Sequence, residues 1–288
     1  MSKYLNPFTD FGFKKLFGEE SSKEILIDFL NEILREEEGE IIDLEFMKNE
    51  HLGKTNFDRK AIFDLYCKNK AGERFIVEMQ KAKHNYFKDR SLFYATFPIQ
   101  EQAQKGEWNY QLKAVYTIGI LDFVFEEGKD EEKMLYRVKL TDIETQKIFY
   151  DKLTFVYIEM PKFTKSLDDC ASHFDRWLYV LRNLEKLERY PELLQEKIFR
   201  DFFHKAELTQ LDSKEREQYS ESLKNYRDIK GVIDTAFDDG KEEGREEGEK
   251  IGIAKTLICY TNKSNQEICQ ETKLSLDFIM QLRKNLQG

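Results

Sequence analysis

The sequence lacks the features that staple, anchor or export a small protein. Its four cysteines (Cys67, Cys170, Cys259, Cys269) stand far apart with no C-x-x-C pair, which excludes a disulfide framework and a zinc knuckle. Nothing approaches the roughly 18 consecutive apolar residues of a membrane helix. The best stretch, Val115 to Phe125, is interrupted by Asp122. The opening MSKYLNPFTD has no apolar core of a secretion signal. The four histidines (His51, His84, His173, His204) show no ligand spacing and read as ordinary residues. A surplus of positive charge is missing too. With 46 Lys and Arg against 55 Asp and Glu, the net charge of −9 argues against a general nucleic-acid binder. These absences predict a soluble, cytoplasmic protein without membrane contact.

What is present points to a folded chain with local charge contrasts. The 288 residues suffice for one large domain or two modest ones, each with its own core. Aromatics at 14% exclude disorder. Residues 81–90 carry Lys81, Lys83, Lys88 and Arg90 against Asp89, a net of +3, whereas residues 237–250 have a net of −4. A basic patch on an acidic protein is therefore expected.

Thr9 or Asp10 caps a short helix through Phe17, with Gly18 at its C′ position. Ile25, Leu26, Phe29, Leu30, Ile33 and Leu34 recur at spacings of three and four, an amphipathic helix. Ile41–Phe46, Ala61–Cys67 and Arg74–Gln80 read as strands, the last two joined as a hairpin through a loop containing Asn69 and Gly72. A helix from about Lys83 to Lys105 is kinked or split by Pro98. Strands return at Lys113–Leu121, Met134–Leu140 and Thr154–Met160. After Phe163 only helices are expected, with Phe174, Trp177, Leu178, Leu181 and Leu184 as a core stripe. Boundaries fall at 1–163, 164–236, 237–253 and 254–288. In the third segment Gly240, Gly244, Gly248 and Gly252 lie four apart among charges. Since each interior glycine costs a helix about 1 kcal/mol, the segment reads as a flexible linker. The alternative is a helix whose small residues admit a partner helix. The last segment reads as a helix-turn-helix-like element, Ser264–Glu271 and Ser275–Asn285, with a Ser264/Glu267 capping box and a net of +2.

The chemistry concentrates in the hairpin AIFDLYCKNKAGERFIVEMQ. Alternation puts Ile62, Asp64 and Tyr66 on one face, with Phe63 and Leu65 on the other, while Ile76, Glu78 and Gln80 share a face of the partner strand. A five-residue loop, Asn69–Glu73, sets Asp64 directly across from Glu78. Two carboxylates about 4 Å apart repel by about 4 kcal/mol at an effective dielectric of 20. Such a pair calls for a cation or a shared proton, and Mg²⁺ suits its hard oxygen donors. On their own, the same acids also fit the solvated face of a hairpin.

Asp64 followed by Glu78-Met79-Gln80 resembles the PD-(D/E)XK nuclease core. PFTDFGFKKLFG (7–18), FIVEMQ (75–80), FKDRSLFYA (87–95), the Gln102…Gly106…Tyr110 spacing and the glycine-periodic tail are similar to the Rpn family, bacterial recombination-promoting nucleases and transposases. The resemblance implies an α/β fold: a PD-(D/E)XK nuclease-like core of mixed sheet flanked by helices, followed by an all-helical carboxyl-terminal region. It implies a Mg²⁺-dependent (or Mn²⁺-dependent) DNA endonuclease, with Asp64, Glu78 and the Met79 carbonyl as metal ligands and Gln80 orienting a water. Gln80 departs from the usual lysine, and Lys81 or Lys83 is a partial substitute. Glu24 is the candidate first-helix acid. Asp10 and Lys14 match the amino-terminal motif, Asp10 being equally a helix cap. Arg90 shares a helix face with Phe87 and Tyr94, as a phosphate contact or a surface ion-pair partner. The alternative function is a nuclease-fold interaction module that does not cut. DNA is the expected partner, with self-association through the carboxyl-terminal region.

Overall fold

The Thr9 hydroxyl accepts a hydrogen bond from the Gly12 N–H and so starts helix α1 (Asp10–Phe17). Residues 2–48, 50–51, 61–83, 86–103, 106–129 and 131–287 are described by the computed structural model, so His84 lies outside the described residues. A Cβ at Gly12 would lie 2.1 Å from the Asn6 carbonyl oxygen and 2.6 Å from Thr9 Oγ1, so the tight entry to α1 admits only glycine. Gly18 ends the helix with a φ of −99°, not in the expected left-handed conformation. Its missing side chain instead makes room for Leu65 Cδ2, 2.7 Å from where a Cβ would sit. Helix α2 (Lys23–Glu38) buries the predicted stripe Ile25, Leu26, Phe29, Leu30, Ile33 and Leu34.

The expected strand Ile41–Phe46 shrinks to β1 (Glu45–Phe46). Asn31 of α2 explains this, since its side chain accepts from the Ile41 N–H at 2.8 Å and donates to the Ile41 carbonyl at 2.9 Å. The expected strand Ala61–Cys67 divides. Strand β2 (Glu50–His51) pairs with β3 (Ala61–Ile62), while β4 (Leu65–Lys68) pairs antiparallel with β5 (Arg74–Gln80). The chain bends at Phe63 and Asp64 between them, which breaks the expected alternation. Phe63 and Tyr66, predicted on opposite faces, pack together with ring centroids 5.4 Å apart. The five-residue loop holds, with Lys68 opposite Arg74 and Gly72 at a φ of +86°.

Helix α3 (Phe87–Gln100) keeps Pro98 in its last turn, where one missing donor ends rather than splits the helix. Strands β6 (Val115–Leu121), β7 (Leu135–Thr141) and β8 (Ile148–Glu159) complete a six-stranded mixed sheet among the described residues, in the order β1-β4-β5-β6-β8-β7. Both β5/β6 and β6/β8 are parallel; β8 starts before the predicted Thr154 because it follows β7 past two register shifts.

The two faces of the sheet differ. Leu65, Phe75, Val77, Tyr116, Ile118 and Val156 join α1, α2, helix α4 (His173–Asn183) and helix α5 (Lys197–Ala206) in one large core. Ile76 and Tyr66 pack with Tyr94 and Phe97 of α3, and Val115, Phe155 and Tyr157 with Phe87 and Ala95. Because Trp177, Phe199 and Tyr226 belong to the same core as the sheet, the expected boundary at 163 is absent. The compact unit runs to Arg227.

Residues 228–288 form a second unit. Helix α6 (Ser213–Tyr260) gives its start to the first unit and its remainder to the second, so the expected linker at 237–253 is helical. Arg245 bridges Glu242 and Glu249, and Lys250 reaches Glu246. Such i,i+3 and i,i+4 pairs offset part of the glycine cost. Helices α7 (Asn265–Thr272) and α8 (Leu276–Gln287) pack with the end of α6 through Ala254, Ile258, Ile268 and Ile279, and the Ser264/Glu267 capping box is present. No helix among the described residues is long and apolar enough to cross a membrane.

Candidate active site

Strand β5 carries Glu78 on the face below α3, and the bend at Asp64 turns a second carboxylate toward the same strand end. Extending the pairs Leu65–Val77 and Tyr66–Ile76 by one position sets Asp64 opposite Glu78. Two main-chain donors fix the acids: the Asp64 N–H donates to Glu78 Oε1 at 3.1 Å, and the Met79 N–H donates to Asp64 Oδ2 at 2.8 Å.

Burial pushes the Glu78 carboxyl up to about 8, the Asp64 charge adding to it while the Asp64 N–H, Arg90 and Lys14 oppose it. Burial also raises Asp64, against the Met79 N–H; the Asp10 charge adds to the rise, and Lys14 and Lys81 work against it. Among the described residues no three His, Cys, Asp or Glu side chains gather as a metal cluster. A cation here would therefore rest on two carboxylates, the Met79 carbonyl and water. That donor set fits Mg²⁺, which prefers hard oxygen ligands and keeps several waters.

The acid pair has two flanks of different character. On the α1 side, Lys14 pairs with Asp10 at 2.9 Å, and both act electrostatically on Asp64. Burial lowers the Lys81 ammonium, while Asp10 and Asp64 hold it up. Asp10, Lys14, Lys15, Glu19 and Lys81 line a cavity of about 610 Å³ with Gln218, Glu221 and Asn225 from the start of α6. On the α3 side, the Arg90 guanidinium donates to Gln80 Oε1 and lies 5.4 Å from the Phe87 ring centroid and 5.8 Å from that of Tyr94. The Gln80 amide nitrogen donates to the Ala82 carbonyl at 3.0 Å.

The structure thus brings Asp10, Lys14, Asp64, Glu78, Met79, Gln80 and Arg90 to one neighbourhood. It does not bring Glu24, whose side chain is 84% exposed on α2 and lies 3.9 Å from Lys197 of α5. The acid reaching the pair comes from α1 instead. The expected basic patch is partly neutralised, because Lys83 pairs with Glu126 at 2.7 Å and Lys88 with Glu127 at 2.8 Å. Gln218 and Asn225 carried no local signal: their place beside α1 depends on contacts such as the Phe11 N–H donating to Ser222 Oγ at 3.1 Å.

No curated protein and no solved structure matches the chain. Residues 7–236 match a family described as PD-(D/E)XK nuclease family transposase, a span that includes the acid pair, both flanks and the start of α6. The mixed sheet flanked by helices is the fold this match implies. The chain therefore belongs to the PD-(D/E)XK nuclease family transposases.

Proposed function

We propose that this protein is a metal-dependent DNA endonuclease, hydrolysing phosphodiester bonds in recombination or the movement of mobile elements, and working in the cytoplasm. The observation that carries the reading is the cross-bound acid pair: a bend and a hairpin register deliver Asp64 and Glu78 to one strand end in a chain of a nuclease family. PD-(D/E)XK nucleases generally use divalent metal ions. Asp64, Glu78 and the Met79 carbonyl hold Mg²⁺, or Mn²⁺, in this reading. When bound, the cation supplies Lewis acidity toward water and phosphate oxygen.

The protein's own groups position the rest. The two main-chain hydrogen bonds aim the carboxylates. Gln80 gives one amide hydrogen to Ala82 and keeps the other for a water. Lys81 draws the phosphate backbone toward the α1 side. Hydrolysis forms a bond from water oxygen to phosphorus as the bond to the sugar oxygen breaks; the water gives up a proton and the departing oxygen takes one.

A second reading, a nuclease-fold protein that binds without cutting, rests on the neutral Gln80. Self-association is proposed through α6, where Ile229, Val232, Ile233 and Phe237 form an exposed apolar stripe at helical spacing. Supercoiled plasmid incubated with the purified protein and Mg²⁺ should be nicked or linearised, and a chelator should stop it. Plasmid left intact under both conditions refutes the enzyme and favours the binding reading.

A further inference from the structure

We infer that Arg90 of α3 supplies, directly to the scissile phosphate, the positive charge that a lysine at position 80 would otherwise provide. The inference rests on the nuclease reading and concerns the neutral glutamine beside the acids. A glutamine side chain is shorter than a lysine side chain, and the Arg90 guanidinium hydrogen-bonds to its tip. The charge therefore sits one hydrogen bond beyond the amide, in the region a lysine ammonium from β5 would approach.

Three observations fix that placement. Gln80 is itself anchored to the Ala82 carbonyl at 3.0 Å, so the acceptor for Arg90 is held in place. Arg90 lies by the Phe87 and Tyr94 rings, at 5.4 Å and 5.8 Å from their centroids, a setting that suits a guanidinium better than an ammonium. Its charge also acts on Glu78, the acid on the same sheet face.

Three of the neighbouring lysines are engaged in ion pairs. Lys14 is paired with Asp10, Lys83 with Glu126 and Lys88 with Glu127. Lys81 feels Asp10, Asp64 and Lys14, the α1 side of the pair. The Arg90 hydrogen-bond partner is a neutral amide and no ion pair among the described residues takes its charge, which leaves its remaining N–H donors for an anion. A guanidinium has five such donors in a planar fork that matches phosphate oxygens.

Single-turnover cleavage of a DNA duplex with Mg²⁺, alongside duplex affinity measured in chelator, tests the assignment on the full chain. Arg90→Gln should slow cleavage on the order of 100- to 1,000-fold, the effect of one lost electrostatic donor, with affinity changed far less. Arg90→Lys should keep more of the rate. The double variant Arg90→Gln/Gln80→Lys, which moves the charge back to β5, should regain at least about tenfold over Arg90→Gln. Thermal melts ensure that rates are compared between folded proteins. If Arg90→Gln cuts at the wild-type rate, or the double variant is as slow as Arg90→Gln, the assignment is overturned while the nuclease reading stands. A wild-type protein that does not cut overturns both.

Discussion

The two compact units are stabilised in different ways. In residues 1–227, Trp177 is buried against Phe17, Phe29, Phe199 and Phe202, with ring centroids 4.9 to 6.1 Å apart, and the core runs from the helices through the sheet. In residues 228–288 the core is Ala254, Ile258, Ile268 and Ile279. Local devices do more there: a capping box at Ser264, ion pairs along α6, and a left-handed Lys273 closing α7. The candidate chemistry lies entirely in the first unit. A site that needs carboxylates held by single backbone hydrogen bonds belongs on a scaffold whose strands cannot shift.

The sharpest way to test this contrast separates chemistry from stability inside the first unit. Asp64→Ala should abolish cleavage while leaving the melting temperature little changed, because relief of the repulsion with Glu78 offsets the lost hydrogen bond from the Met79 N–H. Mg²⁺ should raise the melting temperature of the wild type and not of the variant, by linkage. Calorimetric scans with and without Mg²⁺ decide this, and equal metal-dependent cutting by both proteins would refute the site.

Next in size are two core truncations, one in each unit. Trp177→Ala should cost the first unit about 3–5 kcal/mol, and Ile268→Ala should cost the second about 2–5 kcal/mol. If the units are independently stabilised, urea melts will show the two losses in separate transitions. Only Trp177→Ala should then reduce cleavage under mild denaturant. A single transition shifted by both variants would break the comparison.

A smaller effect is expected on the glycine stripe. Nothing lies within 4 Å of a Cβ built at Gly240, Gly244, Gly248 or Gly252. Gly244→Ala should therefore stabilise the second unit by about 1 kcal/mol, the intrinsic helix preference, read as a shift in its urea midpoint. Destabilisation instead would show that the glycine face meets another surface in solution.

The smallest effect is a pH dependence in the first unit. Asp28 Oδ2 accepts from the Trp177 indole N–H and lies 2.7 Å from His173 Nε2. This contact is the main cause raising His173 above its ordinary 6.5. A raised histidine adds stability that is complete below the unfolded value and is lost as pH rises through the folded one. The stability gap between wild type and Asp28→Asn should thus be wider near about pH 5.5 than near about pH 8.5. A gap independent of pH would mean that Asp28 does not raise His173.

Much of the site could be read from the chain, for identifiable reasons. The loop Asn69–Glu73 has an odd count and a glycine where a positive φ is needed, and that register carries Asp64 opposite Glu78 when extended by one position past Leu65. The bend at Phe63–Asp64 is not readable locally, since a single Asp within a run of strand formers also fits the solvated face of a continuous strand. It arises where the chain leaves its pairing with β2 to join β5. The residues alone offer Glu24 as the first-helix acid, but which face of α2 meets the sheet depends on the packing of Phe29 and Leu30, and that packing turns Glu24 toward Lys197.

The sequence by itself determined the elements: the apolar stripe of α2, the hairpin and its register, the later strands, the serine caps of the last helices and the acid pair. These follow from period, turn chemistry and capping, all of which act within a few residues. Tertiary structure alone decided that Asp10 and Lys14 stand beside Asp64, that Arg90 reaches Gln80, and that α4 and α5 belong to the sheet's own core. It also joined the start of α6 to α1, across some 200 residues of chain. Such contacts depend on how whole faces bury their aromatic residues, and no local spacing encodes that choice.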